Sequence, residues 1–231
     1  MKIIKYKNAR HIDVKFENGY TTYDREYKEF KKGRIKDLYY PEIYSIGYVG
    51  EKYSHKDYPY FYNKWQSMLE RCYDEKSLNK HPTYKGCTVC DEWKSFSIFC
   101  EWCLNNYYSI DNEEMHLDKD ILIKNNKIYS PKTSIFVPQR INKLLLKHNN
   151  ARGKYLIGVT FSKTNNKYIA RCNIDKNNRK IIGCYDTELE AFNAYKLFKE
   201  KYIKQVADKY KTKIPQKLYN ALYNYKVEIT D

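Results

Sequence analysis

The chain has 231 residues, of which 43 are Lys or Arg and 28 are Asp or Glu, so its formal net charge is +15. Hydrophobic residues make up 42%, which is enough for folded cores and excludes wholesale disorder. No stretch approaches the roughly 18 consecutive apolar residues of a membrane span, and residues 1–7 lack the apolar run of a secretion signal. We therefore expect an intracellular protein with no membrane partner.

The first predicted segment, residues 1–57, is a small β-rich unit. Its clearest signal is the pair Asn18-Gly19, which joins two runs of alternating apolar and polar residues. Asn-Gly favours a β-hairpin because both residues tolerate the positive φ angles of a tight hairpin turn. A further strand is predicted at 44–50.

The second predicted segment, residues 58–150, combines helices with an extended run. Apolar residues from Phe61 to Cys72 recur at helical spacing and predict the first helix. The other elements predicted here are a helix at 91–107, an extended run at 115–123 and a short helix at 139–147.

The third predicted segment, residues 151–231, is a three-stranded sheet followed by helices. Thr187 and Glu190 form a capping-box pattern, in which each side chain satisfies a backbone N–H of the other residue, so a helix is predicted after Thr187. Pro215 begins the last helix, at a position where its missing N–H costs nothing. The strands are expected near 156–161, 167–173 and 180–185.

These elements predict the α+β class, and the charge is distributed unevenly among them. Residues 151–231 contain 17 basic and 8 acidic side chains, a net charge of +9. This excess indicates a polyanion-binding module at that end of the chain. The alternative is a lysine-rich surface that only keeps the protein in solution.

The extended run at 115–123 contains the main candidate for chemistry. In a strand, residues two apart point to the same side, so His116, Asp118 and Asp120 would share a face. A histidine beside carboxylates can act as a general base next to a hard divalent metal, and Asn142 is a candidate further ligand. The alternative is a polar strand edge exposed to solvent.

Several blocks of the second segment form a recognisable pattern. They are Trp65-x-x-Met-Leu-x-Arg-Cys72, Pro82-Thr-Tyr-Lys-Gly-Cys-Thr-Val-Cys-Asp-Glu-Trp93, Leu117-Asp-Lys-Asp120, Tyr129-Ser-Pro131 and Phe136-Val-Pro-x-x-Ile-Asn142. Together they resemble the phage HNH nucleases, in the branch that is often found in homing endonucleases.

The resemblance implies an HNH-like (ββα-metal) centre that cleaves or nicks double-stranded DNA with one divalent metal, Mg²⁺ or Mn²⁺. It implies that His116 is the general base and that Asp118 or Asp120, with Asn142, binds the metal. Residues 116–120 read His-Leu-Asp-Lys-Asp where the family has a His-His or Asp-His pair. The alternative is therefore a catalytically inactive HNH-derived protein that binds DNA as a regulator or host-defence antagonist.

A Cys-x-x-Cys pair, Cys87 and Cys90, lies in a predicted loop. In an intracellular protein such a pair suggests metal or redox chemistry rather than a disulfide. With Cys72 and His81 it forms a candidate structural Zn²⁺ site. A second pair, Cys100 and Cys103, lies on the apolar face of the helix predicted at 91–107, where cysteine often acts as a small hydrophobe.

The third segment contains a second recognisable pattern. Its blocks are Gly158-Val-x-Phe-Ser162, Tyr168-Ile-Ala-Arg171, Ile182-Gly-Cys-Tyr-Asp-Thr187 and Glu190-Ala-Phe-x-Ala-Tyr195. They resemble the DNA-binding domain of plant ethylene-response factors, which phage HNH nucleases also carry. The resemblance implies a three-stranded sheet that enters the major groove and a helix that braces it.

Basic side chains on the exposed face of that sheet are expected to contact phosphates and base edges. Arg171 is the first candidate for base readout, because its planar guanidinium suits guanine. The alternative is a purely structural sheet with ordinary surface lysines. The candidate DNA-binding residues are Arg152, Lys154, Lys163, Lys167, Arg171, Arg179 and Lys180.

The sequence as a whole predicts a phage-type, DNA-binding HNH endonuclease whose partner is double-stranded DNA. Such a protein would be phage-encoded and act in the host cytoplasm. The sequence does not indicate an oligomeric state. The predicted domains are a β-rich unit (1–57), an HNH endonuclease-like domain (58–150) and a basic DNA-binding domain (151–231).

Overall fold

The computed structural model of the chain describes residues 1–146, 154–175 and 178–231. In this part of the chain small sheets are combined with helices, so the α+β class is confirmed at that level. No helix among these residues is long and apolar enough to cross a membrane. The chain divides into unit 1, which comprises Met1–Asn105 and Lys127–Ser130, and unit 2, which comprises Asn106–Asn126 and Pro131–Asp231.

The elements are numbered in chain order. The strands are β1 (Lys2–Asn8), β2 (His11–Lys15), β3 (Thr21–Arg25), β4 (Thr88–Val89), β5 (Met115–Asp118), β6 (Ile128–Tyr129), β7 (Ile135–Pro138), β8 (Val159–Ser162), β9 (Lys167–Asp175) and β10 (Asn178–Tyr185). The α-helices are α1 (Tyr27–Lys31), α2 (Pro59–Tyr73), α3 (Glu75–Lys80), α4 (Phe96–Asn106), α5 (Gln139–Leu144), α6 (Glu188–Tyr210) and α7 (Gln216–Tyr223).

Unit 1 begins with an antiparallel sheet in the order β1-β2-β3, called here the N-terminal sheet. The predicted hairpin is confirmed as β2 and β3. Its loop has three residues, because Phe16 N donates to Tyr20 O (2.8 Å) and Gly19 N donates to Phe16 O (3.1 Å). Gly19 has a φ of +93°, as the last position of such a loop requires. The short helix α1 follows, and Ile12 and Val14 form the core beneath it.

The prediction of a strand at 44–50 is wrong. Tyr44 and Ser45 adopt positive φ angles of 51° and 57°, and Ile43 N donates to Gly47 O (3.0 Å) across the turn that they form. Two consecutive left-handed residues turn the chain back on itself, so the apparent alternation of this segment does not continue as a strand.

Of the two helices predicted in this part of unit 1, one is confirmed and the other is interrupted. The first predicted helix is confirmed as α2, which buries Trp65, Met68, Leu69 and Cys72. The helix predicted at 91–107 is split into a 3₁₀ turn and α4. The split occurs because Ser95 is extended and because Phe96 N, at the start of α4, donates to Tyr48 O (2.8 Å) instead of to a preceding helical turn. The boundary predicted at 57/58 lies within unit 1.

Unit 2 contains an antiparallel pair, β5 and β7, followed directly by α5; these three form the β5–β7–α5 element. The short helix predicted at 139–147 is confirmed as far as Leu144, and residue 147 lies outside the described residues. This element shares an apolar core with the second half of α6 and with α7. The core includes Ile121, Ile135, Val137, Ile141, Leu144, Ile203, Val206, Ala207, Tyr210, Leu218 and Leu222.

The three strands predicted in the third segment are confirmed as an antiparallel sheet in the order β10-β9-β8, called here the C-terminal sheet. The first half of α6 packs on one of its faces, where Ala170 and Cys172 meet Phe192 and Tyr195. The capping box at Thr187 is present, and the predicted last helix is confirmed as α7. The boundary predicted at 150/151 lies outside the described residues.

Candidate active site and nucleic-acid interface

The β5–β7–α5 element holds the residues predicted to be catalytic. On β5, His116 and Asp118 point to one side while Met115 and Leu117 are buried. Gln139 N, at the start of α5, donates to the main-chain oxygen of Glu114 (2.8 Å). This hydrogen bond ties the beginning of the helix to the beginning of β5 and so brings α5 alongside His116.

His116 and Asn142 are in contact. Asn142 Nδ2 lies 3.1 Å from His116 Nδ1. Glu114 Oε1 lies 3.2 Å from His116 Nε2, and Gln139 Nε2 lies 3.4 Å from the same nitrogen. The imidazole is therefore held at both ring nitrogens, and its side chain is 28% exposed. Which nitrogen carries the proton depends on the orientation of the Asn142 amide.

Glu114 and Gln139 were not predicted to take part in this site. Gln139 Nε2 donates to Glu114 Oε2 (3.0 Å), and Lys143 Nζ donates to Gln139 Oε1 (2.7 Å). Glu114 lies two residues before His116, and Gln139 lies one helical turn before Asn142. Residues two apart on a strand and three apart on a helix share a face. Both residues could therefore have been predicted from the sequence once His116 and Asn142 were chosen.

Asp118 is the last residue of β5, and its carboxylate shapes the turn that follows. Asp118 Oδ1 accepts hydrogen bonds from Asp120 N (2.9 Å) and Ile121 N (2.7 Å). The strand therefore ends before Asp120, and the prediction that Asp120 shares a strand face with His116 and Asp118 is wrong. The physical reason is that an aspartate side chain which captures nearby backbone N–H groups favours a turn over an extended strand.

The surroundings of the two carboxylates differ. Burial raises the pKa of the Asp118 carboxyl to about 6, and the negative charge of Asp120 acts in the same direction. Asp120 is exposed, and its Oδ2 accepts a hydrogen bond from Lys119 Nζ (3.0 Å). A nearby divalent cation would favour the ionised form of Asp118, because an opposite charge offsets the cost of burying the carboxylate.

Carboxylate and amide oxygens suit a hard divalent ion, and the candidate ligands are Asp118, Asp120 and Asn142. Among the described residues no three His, Cys, Asp or Glu side chains converge on one metal position. Mg²⁺ does not require such a cluster, because it keeps several waters and often takes only one or two carboxylates from the protein. The divalent-metal site therefore stays a prediction.

The candidate zinc residues lie in unit 1 around α3 and β4. Cys72 is in the last turn of α2, His81 follows α3, and Cys87 and Cys90 flank β4. Burial raises the pKa of the Cys90 thiol to about 11, so without a metal this thiol stays protonated at neutral pH. The four residues are all described, and no convergent group of three metal ligands is found among them. Structural zinc stays a prediction.

The C-terminal sheet has one face against α6 and one face away from it. On β9, Ala170 and Cys172 belong to the core on the α6 side, so Arg171 between them points to the opposite face. Arg171 pairs with Ile181, and Arg179 pairs with Asn173. Side chains of directly paired residues share a face, so Arg171 and Arg179 both lie on the face away from α6.

The two arginines are not equally exposed. Arg179 is exposed, whereas Arg171 is partly buried. The Nε of Arg171 is buried and has no hydrogen-bond partner in the part of the chain that the structure describes. This buried nitrogen is out of reach of an external acceptor, so a base contact by Arg171 would use its terminal Nη nitrogens.

The candidate lysines occupy different positions. Lys167, also on the face away from α6, is ion-paired with Asp186. Lys163 is exposed in the turn before β9, and Lys154 Nζ lies 5.4 Å from the ring centre of Tyr155. Arg152 lies outside the described residues.

The structure corrects the predicted position of Lys180 in the interface. It pairs with Cys172, which belongs to the core on the α6 side. Its Nζ lies 5.5 Å from the ring centre of Phe198 on α6. The expectation that Lys180 shares the exposed strand face with Arg171 is therefore wrong, because the pairing register turns its side chain towards the helix.

Comparison with known proteins identifies no family for the chain. No protein-family model, no curated protein and no solved structure matches it. The two resemblances therefore stay expectations. Inference about function has to start from the His116–Asn142 contact and from the basic face of the C-terminal sheet.

Proposed function

We propose that the chain is an HNH-type endonuclease that nicks or cleaves double-stranded DNA with one divalent metal ion. The observation that carries the proposal is the contact between His116 on β5 and Asn142 on α5, with the partly buried Asp118 on the same strand face. A polar histidine held between a strand and a helix, beside a desolvated carboxylate, has the components of a general-base site for phosphodiester hydrolysis.

In the proposed mechanism His116 takes a proton from the attacking water. With the Asn142 amide turned so that Oδ1 accepts from Nδ1–H, Nε2 is the basic nitrogen. The carboxylate of Glu114 beside Nε2 favours the imidazolium that forms. Mg²⁺ or Mn²⁺, held by Asp118 with Asp120 and Asn142 as candidate partners, would stabilise the negative charge that develops on the phosphate.

The proposed DNA reader is the C-terminal sheet. Arg171 and Arg179 lie together on the face away from α6, and a bidentate arginine is the commonest specific contact to guanine in the major groove. Lys163 and Lys154, near the ends of β8, are candidates for phosphate contacts. The net charge of +9 in residues 151–231 supports attraction to a polyanion.

Helix α6 links the proposed reader to the proposed cutting site within unit 2. Its residues 191–195 belong to the core of the C-terminal sheet, and its residues 203–210 belong to the core of the β5–β7–α5 element. The midpoints of these stretches are about 20 Å apart at 1.5 Å per residue. The helix contains no Gly or Pro, so we expect cleavage at a fixed offset from the base contacts.

A plasmid-nicking assay in Mg²⁺ and in Mn²⁺ tests this function. The wild type is expected to relax supercoiled DNA, and His116→Ala is expected to lose about 10²–10⁴-fold in rate while it still binds duplex DNA. His55→Ala is the matched control, because His55 is exposed in unit 1. Nicking by His116→Ala at the wild-type rate would contradict the assigned base.

The second candidate function is a DNA-binding protein that does not cut. The observation that favours it is the Lys119–Asp120 ion pair (3.0 Å), which occupies a carboxylate of the proposed metal site. Such a protein would bind duplex DNA with or without Mg²⁺ and would never nick it. A wild type that behaves in this way would replace the nuclease proposal with the binding proposal.

A further inference from the structure

The N-terminal sheet repeats the layout of the C-terminal sheet. In both, three antiparallel strands in sequential order are followed directly by a helix that packs on one face. In the N-terminal sheet that helix is α1, whose Tyr27 and Phe30 pack against the core of Ile12 and Val14. The opposite face of the N-terminal sheet corresponds to the face of the C-terminal sheet that carries Arg171 and Arg179.

The register of the strands places lysines on this opposite face. Ile3 pairs with Val14 on the α1 side, so the residues that alternate with Val14 point away from α1. Lys15 pairs with Lys2, and Asp13 pairs with Lys5. These four side chains therefore lie on the face away from α1.

Lys7 joins the same face. It lies in the β-bulge between Tyr6, whose ring contacts Tyr27 on α1 (5.8 Å between centroids), and Asn8, which pairs with His11 on the face away from α1. Its charge, together with the stronger effect of the hydrogen bond from His11, lowers the pKa of the Asp24 carboxyl. Lys7 is thus close to Asp24 and His11, whose side chains are hydrogen-bonded to each other at the edge of this face.

The carboxylates of Asp13 and Asp24 have hydrogen-bond partners other than the lysines of this face. Asp24 is paired with His11, and Asp13 Oδ1 accepts a hydrogen bond from Asp24 N (3.1 Å). All four lysines of the face are exposed, and in the described residues none lies within ion-pair distance of a carboxylate. The lysines that remain available are Lys2, Lys5, Lys7 and Lys15.

We propose that this lysine face of the N-terminal sheet is a second duplex-DNA contact, which binds phosphates without reading bases. The proposal rests on the proposed function, in which the chain acts on DNA. A lysine ammonium is a compact point charge that suits a phosphate, whereas base readout favours the planar fork of arginine. Tyr23, which alternates with the buried Thr22 on β3 and is 66% exposed, adds a hydroxyl that can donate to a phosphate oxygen.

The experiment compares two triple variants of the full chain on a labelled duplex of arbitrary sequence. One is Lys5→Gln/Lys7→Gln/Lys15→Gln on the lysine face. The control is Lys28→Gln/Lys31→Gln/Lys32→Gln, which removes the same charge from α1 and its end. All six lysines are exposed, so both variants are expected to fold, and a thermal melt of each checks that they do.

The lysine-face triple is expected to weaken duplex binding at least about tenfold and to reduce the slope of log affinity against log salt by about 2.7, or 0.9 for each lost phosphate contact. The control triple is expected to change the affinity less than about threefold, through long-range charge alone. Equal affinities and equal salt slopes for the two triples would overturn the proposal.

Two further readouts separate this proposal from the proposed function. The lysine-face triple is expected to weaken all duplex sequences by the same factor, and a change in base preference would overturn the phosphate-only role. A wild type that nicks DNA while both triples bind equally would overturn only the second contact. A wild type that binds no duplex at all would overturn both proposals.

Discussion

The N-terminal and C-terminal sheets share a strand order but differ in how they are supported. The helix on the N-terminal sheet, α1, has five residues and buries none of them. The helix on the C-terminal sheet, α6, has 23 residues and buries several side chains in two cores. The N-terminal sheet, which has the weaker support, carries lysines on the face away from its helix. The C-terminal sheet, which has the stronger support, carries two arginines on the corresponding face.

This difference matches what each proposed contact needs. A bidentate hydrogen bond to a base edge requires a guanidinium held in a fixed geometry, which a well-packed sheet can supply. A phosphate contact tolerates movement, because the Coulomb attraction of a lysine changes little over small displacements. The two sheets thus illustrate how one layout can serve base readout or backbone contact according to its support.

The largest expected effect on stability comes from replacing a glycine, and one glycine near each sheet is compared. Gly158, next to β8, has a φ of +78°, and an added Cβ would meet the ring of Tyr195 at 2.2 Å. Gly158→Ala is therefore expected to destabilise the protein by about 3 kcal/mol, from backbone strain and overpacking together. Gly19, with a φ of +93°, has nothing within 4 Å of an added Cβ, so Gly19→Ala is expected to cost only about 1 kcal/mol.

Denaturant unfolding monitored by circular dichroism measures both variants. Equal destabilisation by the two substitutions would show that the C-terminal sheet is not held by the Tyr195 packing described here.

The next effect concerns base readout. Arg171→Ala is expected to remove about 1–3 kcal/mol of discrimination at one base pair, because the guanidinium that would recognise guanine is lost. Lys180→Ala is the matched control, since Lys180 faces α6 and lies over Phe198. Competition binding with single base-pair changes measures both variants, and unchanged base preference in Arg171→Ala would assign the readout to another residue.

A smaller effect concerns the pH dependence of stability. Because burial raises the pKa of Asp118 to about 6, the folded state holds a proton that the unfolded state releases near pH 4. The contribution of Asp118 to wild-type stability should therefore fall as the pH rises from about 4 to about 6. Asp118→Asn keeps the Oδ1 acceptor for the turn but carries no charge, so it should be about 1–2 kcal/mol more stable at pH 7.

Unfolding at pH 4 and pH 7, without divalent metal, measures this difference. The same loss of stability in wild type and variant would contradict a buried Asp118. A variant that is more stable and yet unable to nick DNA would be the combination expected of a residue retained for metal binding.

The smallest expected effect is the loss of stability when the side chain at the start of a helix is removed, and α6 is compared with α1. The side chain of Thr187 accepts a hydrogen bond from Glu190 N (3.2 Å) at the start of α6. Glu26, at the start of α1, makes no capping hydrogen bond with its side chain. Thr187→Ala should therefore cost about 1 kcal/mol and Glu26→Ala close to nothing. Thermal melts measure both, and an equal loss would contradict the difference in support.

The parts of the fold that were predictable have local signals. The Asn18-Gly19 turn and the capping box at Thr187 are fixed by a few adjacent residues, and both are confirmed. Strand β1 was not predicted, because it is exposed over most of its length and shows no clean alternation. The strand at 44–50 was wrong because periodicity does not reveal the left-handed turn at Tyr44.

The candidate site was predictable only in outline. His116, Asp118 and Asn142 were identified from the sequence, and the structure brings His116 and Asn142 into contact. The turn at Asp120 depends on side-chain hydrogen bonds from Asp118, which spacing alone does not indicate. The shared core between α6 and the β5–β7–α5 element joins residues far apart in sequence, and such packing has no local sequence signal.

The central claim is that unit 2 both reads and cuts DNA, with α6 fixing the distance between the two sites. The most direct measurement is to map the strand break and the binding footprint of the wild type on one end-labelled duplex in Mg²⁺. The account predicts a break at a constant offset from the bases that Arg171 protects. Breaks whose positions vary independently of the footprint, or a stable footprint with no break, would contradict it.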